Sequence, residues 1–181
     1  AGAWLMYRGH LDKISDNLLL GAANSFNGKI GLGKNVLNNQ ITSFPEIART
    51  YKSRGIKWLI IGDFNYGEGS SREHAAMSPR YLGCVAVIAR SFARIHETNL
   101  KKQGVLAATF ANQSDFEKIL EDDRVSIHGL SRLEPGKPLE CKLHHGNQER
   151  ETIWLKHSYN AGQIEWFKMG SALNIIRNRK T

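Results

Sequence analysis

Three apolar runs, Trp58-Leu59-Ile60-Ile61, Cys84 to Ala89 and Val105 to Phe110, set most of the limits on how this chain folds. The first is continuous and suits a strand buried on both faces, and the other two repeat the theme. Helical stretches lie between them, one near Ser71 to Leu82 and one from about Phe92 to Gln103, the latter ended by Gly104. Strand, helix, strand, helix in this order predicts an α/β fold whose partly parallel sheet is joined by crossover helices.

The flanking segments read differently. From Trp4 to Asn39 the pattern is irregular and rich in Gly and Asn, with a helical turn or two over Leu11 to Leu20. Pro45 opens a helix that carries Ile47, Ala48 and Tyr51 on one face and stops at Gly55. Ser114 and Glu117 have the spacing of a capping box, which predicts a short helix through Leu120. Beyond Asp123 come short strands, Arg124 to His128, Leu139 to His144 and Thr152 to Lys156, divided by turn residues, so the C-terminal part is expected to be antiparallel. An amphipathic helix around Gln163 to Ile176 closes the chain. With no linker and no repeat, residues 1–181 are expected to form one unit, with 1–44 as an irregular opening segment.

Composition removes several function classes. A content of 41% hydrophobic residues in 181 supports a packed core. No apolar run approaches the roughly 20 residues that cross a bilayer as a helix. The 17 glycines follow no short repeat, and two cysteines, Cys84 and Cys141, are too few for a disulfide framework and lack the companions of a zinc site. The net charge of +8 suits nucleic acid, a membrane surface or acidic small molecules, but the basic residues are scattered from Arg8 to Lys180 and form no stripe. The chain opens at Ala1-Gly2-Ala3-Trp4 without an initiator Met or a signal pattern, and is expected to start inside a larger polypeptide.

The stretch Gly62-Asp63-Phe64-Asn65-Tyr66-Gly67-Glu68-Gly69-Ser70-Ser71-Arg72-Glu73-His74 carries the chemistry. It follows a buried strand and leads into a helix, whose first amides and dipole favour an anion. Glycine lets the backbone approach a ligand, and two hydroxyls and a guanidinium add directed donors. A helix cap alone needs one hydroxyl and no guanidinium. The glycine spacing matches neither the GxGxxG fingerprint nor a Walker loop, so a carboxylate is the expected ligand.

Gly67 to Ala76, together with Ser91-Phe92-Ala93-Arg94-Ile95-His96-Glu97-Thr98-Asn99-Leu100, resembles the C-terminal swivelling domain of aconitases, of the mitochondrial type. Arg8-Gly9-His10-Leu11, Ile164-Glu165-Trp166-Phe167 and Gly170-Ser171-Ala172-Leu173-Asn174 extend the likeness over nearly the whole chain. The resemblance implies a three-layer swivelling β/β/α domain, a mitochondrial matrix location, and a hydro-lyase of the tricarboxylic acid cycle that interconverts citrate and isocitrate through cis-aconitate. It implies that Ser70 is the catalytic base and that Arg8, Ser71 and Arg72 bind substrate carboxylate. It also implies a 4Fe-4S cluster in the complete enzyme, ligated by domains outside this chain, with none bound here. Those cluster-bearing domains, in cis or on another chain, and the tricarboxylate are the expected partners, with nucleic acid a minor alternative.

The chain begins just after the Asp-His-Ile-Ser segment that usually precedes this domain, and Ala3 stands where the family has proline. Cys84 and Cys141 match none of the cluster cysteines and read as small core or surface residues. His144 and His145, beside a Gly-Asn turn, read as solvated, His96 and Glu97 as structural hydrogen-bonding partners, and His10 as a neighbour able to orient Arg8. The four tryptophans, Trp4, Trp58, Trp154 and Trp166, read as core or interface aromatics. Two other functions compete: the small subunit of an isopropylmalate or homoaconitate isomerase, which chain length favours, and a non-catalytic basic module that is structural or binds RNA.

Overall fold

The computed structural model describes residues 3–69 and 73–178. Its largest element is a mixed sheet of six strands: β3 (Trp58–Gly62), β4 (Cys84–Ala89), β5 (Leu106–Phe110), β8 (Arg150–Lys156), β7 (Leu139–His144) and β6 (Arg124–Ile127), in that spatial order. The first three run parallel, and β8, β7 and β6 continue the sheet antiparallel. The two halves meet along a short seam, Thr109 opposite Lys156 and Phe110 opposite Leu155.

Burial follows this division. In β4 five of six side chains are buried, as a parallel strand covered on both faces requires. In β7 Leu139, Cys141 and Leu143 point inward while Glu140, Lys142 and His144 are only half-buried, the period of two of a strand with one wet face. Helices α3 (His74–Tyr81) and α4 (Arg94–Lys102) are the crossovers of the parallel half. They bring Ala76 and Leu100 onto Ile60, Val87 and Ala107 to form one core. On the opposite face Ala86, Ile88, Leu106, Ala108 and Phe110 join Leu139, Cys141, Leu143, Ile153 and Leu155 in a second, larger core.

Residues ahead of the sheet fold into short elements: α1 (Leu11–Ile14), a two-stranded ladder of β1 (Leu32–Lys34) and β2 (Ile41–Ser43), and α2 (Phe44–Ser53). Helix α2 has a capping box, Ser43 with Glu46, and Pro45 in its first turn. Its Ala48 packs with Leu18 and Leu82, which seats it beside the end of α3.

Two expectations from the sequence change. The last helix is broken in two, α5 (Ala161–Lys168) and α6 (Ala172–Asn178). Gly170 adopts φ 82°, and its carbonyl lies so close to Gly104 that a Cβ there would come within 1.9 Å of it. The chain turns at this backbone contact, and a continuous helix would lose it. The turn before β6 is a 3-10 helix, Gln113–Lys118, capped by Asn112 and not by Ser114: the Ser114 amide donates to Asn112 Oδ1 at 3.2 Å. Asn112→Ala is therefore expected to cost about 1 kcal/mol in urea unfolding, and Ser114→Ala less than about 0.5 kcal/mol. Equal losses would contradict the assignment.

Candidate active site

The loop after β3 is shaped by rings lying under its backbone. A Cβ at Gly62 would fall 2.5 Å from the Tyr66 ring, and one at Gly67, where φ is +89°, would fall 2.2 Å from Cγ of His96. The Tyr66 and His96 rings lie 5.4 Å apart and tilted at 59°, and Phe92 meets Tyr66 edge-on at 6.0 Å. Only glycine lets main chain sit this close to a ring at both positions. Backbone bonds fix the loop further: Tyr66 N–H donates to the Ser91 carbonyl at 2.9 Å, and Ala93 N–H to the Tyr66 carbonyl at 3.0 Å. Arg90, at the end of β4, stacks on Phe64 and Phe116, each 4.7 Å from its guanidinium carbon, and lies 3.6 Å from Asp63 and 3.7 Å from Glu117.

The loop leads to the start of α3, where the N-cap position falls on Glu73 with no side-chain cap bond. Ser70, Ser71 and Arg72 lie outside the described residues, between the pinned loop and this helix start. Arg8 is described and exposed. His74 donates its Nε2–H to the Arg8 carbonyl at 2.8 Å, which seats the residue-8 backbone against the first turn of α3. The structure thus brings Arg8 to the helix that follows the Ser-Ser-Arg segment, across 66 positions of sequence.

The Arg8 segment is anchored independently. Arg49 of α2 bonds Asp12 Oδ1 at 2.7 Å, the Asp12 carbonyl at 2.9 Å and Asp16 Oδ1 at 2.6 Å. Tyr81 of α3 donates to Asp12 at 3.1 Å. These bonds, that from Arg49 foremost, hold the Asp12 carboxyl below its ordinary pKa. His10 accepts from the Lys13 amide at 3.4 Å, so it caps α1.

The remaining polar residues sort by contact. His96 is 3% exposed, and burial lowers its pKa, so it is neutral near neutral pH. Glu97 is a structural partner, as expected: it pairs with Lys101 at 2.9 Å and accepts from Ser158. His145 is not solvated; it is buried and donates Nδ1–H to Asp123 at 2.7 Å, because the hairpin turn folds back onto the start of β6. His144 is hydrogen-bonded to Ser126 at 2.9 Å. Trp154 stands on the open face of β8 and is 49% exposed.

The cysteines do not fit an iron-sulfur cluster. Cys84 and Cys141 are fully buried in different cores, with two strands between their own, and burial pushes both thiols up to about 12. Cluster ligation needs accessible thiolates grouped around the metal. Among the described residues there is no group of three His, Cys, Asp or Glu able to hold a metal ion.

Residues 1–113 match the family model described as the aconitase C-terminal domain. Similarity to complete proteins extends further. A protein of Dictyostelium discoideum named probable aconitate hydratase, mitochondrial, is 58% identical over 181 residues, covering 99% of this chain and 24% of its own. The mitochondrial aconitate hydratase of Saccharomyces cerevisiae is 54% identical over 177 residues, 98% of this chain and 23% of its own. The chain thus spans about a quarter of the length of the curated relatives it matches. A solved structure of 3-isopropylmalate dehydratase from Methanocaldococcus jannaschii superposes with a TM-score of 0.50 at 24% identity, over 75% of this chain and 74% of that one, and shares its fold. With a domain model over more than half its length and relatives this similar over nearly all of it, the chain belongs to the aconitase family, as its C-terminal domain.

Proposed function

We propose that this chain is the substrate-carboxylate-binding and base-bearing domain of a mitochondrial aconitate hydratase, which interconverts citrate and isocitrate through cis-aconitate. One observation supports the reading: the bond from His74 to the Arg8 carbonyl seats the Arg8 backbone against the first turn of α3, the helix that Ser70, Ser71 and Arg72 precede in sequence. The identity to mitochondrial aconitate hydratases supports the reaction, the compartment and the place in the tricarboxylic acid cycle.

In this reading Ser70 accepts the carbon-bound proton of the substrate, and Arg8, Ser71 and Arg72 hold its carboxylates. Removing a proton beside a carboxylate builds negative charge on that carboxylate, and fixed guanidinium and hydroxyl donors stabilise it. A serine hydroxyl is a weak base at neutral pH, so in this reading the proposed substrate-binding guanidiniums of Arg8 and Arg72 must favour its ionised form. The bonds from Arg49 and Tyr81 to the α1 segment hold the Arg8 backbone in register with α3, so the Arg8 side of the proposed site is anchored before substrate arrives. The 4Fe-4S cluster belongs, in this reading, to domains outside this chain, since the thiols here do not fit it. Those domains and the tricarboxylate are its partners.

The isopropylmalate reading rests on shared fold alone. The nucleic-acid reading gains nothing from the geometry: Arg49 and Lys34 are paired with acidic residues, and Arg90 is sandwiched between rings. The deciding experiment assays the complete enzyme that carries this domain on citrate, isocitrate and isopropylmalate in parallel. Citrate and isocitrate are expected to exceed isopropylmalate in kcat/KM by at least about 100-fold. Preference for isopropylmalate would overturn the assignment.

A further inference from the structure

The larger core has a mouth. Leu59 of β3 and Val125 and Ile127 of β6 line one cleft, although β3 and β6 are the two edges of the six-stranded sheet. The sheet therefore curls until its unpaired edges face each other across a gap. Ala86 and Leu106, both buried members of the larger core, form the floor, while Leu59, Val85, Val125, Ile127, Leu130 and Phe167 around it are only half-buried. The cleft holds about 360 Å³, within the roughly 300–1000 Å³ usual for small-molecule sites, and the mouth of a curled sheet is a common place for one. Its charge is one-sided. Arg80, exposed in the last turn of α3, is the one charged residue among the described residues that line it. Arg80 makes no ion pair among the described residues, unlike Arg49 and Arg90, and its bond to the Gly170 carbonyl is long, 3.5 Å. Leu59, Val85 and Leu106 stand at the beginnings of their strands, so the cleft lies at the end of the parallel strands opposite the loop that follows Gly62.

We propose that this cleft is a binding site for a medium-chain monocarboxylate, whose apolar chain lies between β3 and β6 and whose carboxylate meets the Arg80 guanidinium. The two parts of the ligand answer two features of the site. An alkyl chain covers half-buried side chains that water wets poorly, and each methylene withdrawn from water strengthens binding roughly fourfold. A carboxylate accepts two parallel N–H bonds from a guanidinium that no acidic side chain occupies. A neutral apolar segment from the rest of the enzyme would cover the same side chains but leave Arg80 unused, so charge complementarity favours the acid. The site is separate from the proposed substrate site and does not depend on the roles given to Ser70 and Arg72.

The test is calorimetric titration of the complete enzyme with hexanoate, octanoate and octan-1-ol. Octanoate is expected to bind saturably, and hexanoate, two methylenes shorter, roughly 10-fold more weakly. Arg80→Gln removes the charge from an exposed position and is expected to weaken octanoate at least about 10-fold while leaving octan-1-ol within about twofold. Ile127→Trp fills the cleft and should weaken both octanoate and octan-1-ol at least about 10-fold; if it does not fold, Leu130→Trp carries the same expectation. Saturating citrate should leave octanoate affinity unchanged. No saturable octanoate binding up to about 10 mM, the result if the rest of the enzyme covers the cleft, would overturn the proposal. So would octanoate affinity that neither Arg80→Gln nor the tryptophan variant moves, or displacement of octanoate by citrate, which would put the acid in the proposed substrate site. These titrations read binding and not turnover, so a failure of the function reading is seen separately, in an enzyme that does not interconvert citrate and isocitrate.

Discussion

Replacing Arg72 by Lys in the complete enzyme is expected to raise KM for citrate roughly 30-fold to 1000-fold, equivalent to about 2–4 kcal/mol of binding. Charge is preserved, so the loss isolates geometry. A guanidinium meets a carboxylate with two parallel N–H donors in one plane, whereas an ammonium offers a point charge on a flexible stem. The lost hydrogen bond is also one that strengthens as charge develops on the carboxylate, so kcat falls with it. Thermal stability should stay at the wild-type value if Arg72 serves substrate and not packing. A KM within about twofold of wild type would remove Arg72 from the site, since even one charge-assisted hydrogen bond is worth more than that.

The parallel half of the fold is legible in the sequence because its strands are buried on both faces. Cys84 to Ala89 is an uninterrupted apolar run, and the strand occupies those residues. β8 is harder to delimit: its first three residues, Arg150, Glu151 and Thr152, are exposed, so polarity hides two residues of strand that the ladder with β7 defines. Capping patterns mislead for a related reason. Of Ser43 and Ser114, both with a glutamate three residues on, only the first forms a capping box, there with Pro45 in the first turn. At the second, Asn112 has already taken the cap. The break in the last helix has a local signature, Gly170 in the left-handed region followed by Ser171, whose hydroxyl accepts from the Asn174 amide at 3.2 Å, while the contact of Gly170 with Gly104 is the part that no local pattern encodes.

The site divides the same way. The loop after β3 stands out in the sequence because two glycines, two serines and an arginine fall within the six residues from Gly67 to Arg72. The part played by His74 does not, because its partner is the carbonyl of Arg8 and a backbone acceptor has no residue signature. The contact made by His96 is equally hidden: a ring lying under Gly67 becomes visible only when α4 and the loop are placed together. His145 reads as solvated because it sits beside a turn, yet the hairpin carries it onto Asp123.

The most direct measurement of the central claim pairs turnover and stability in one variant, Ser70→Ala, in the complete enzyme. The substitution removes the proposed base and leaves every proposed carboxylate donor, so kcat for isocitrate should fall roughly 10³-fold to 10⁴-fold while KM stays within about threefold. If Ser70 serves the reaction and not the start of α3, loss of its hydroxyl should leave the thermal midpoint at the wild-type value. A stable protein that binds substrate and does not turn it over is the expected result. Wild-type turnover together with a loss of about 1 kcal/mol in stability would contradict it and make Ser70 a helix cap.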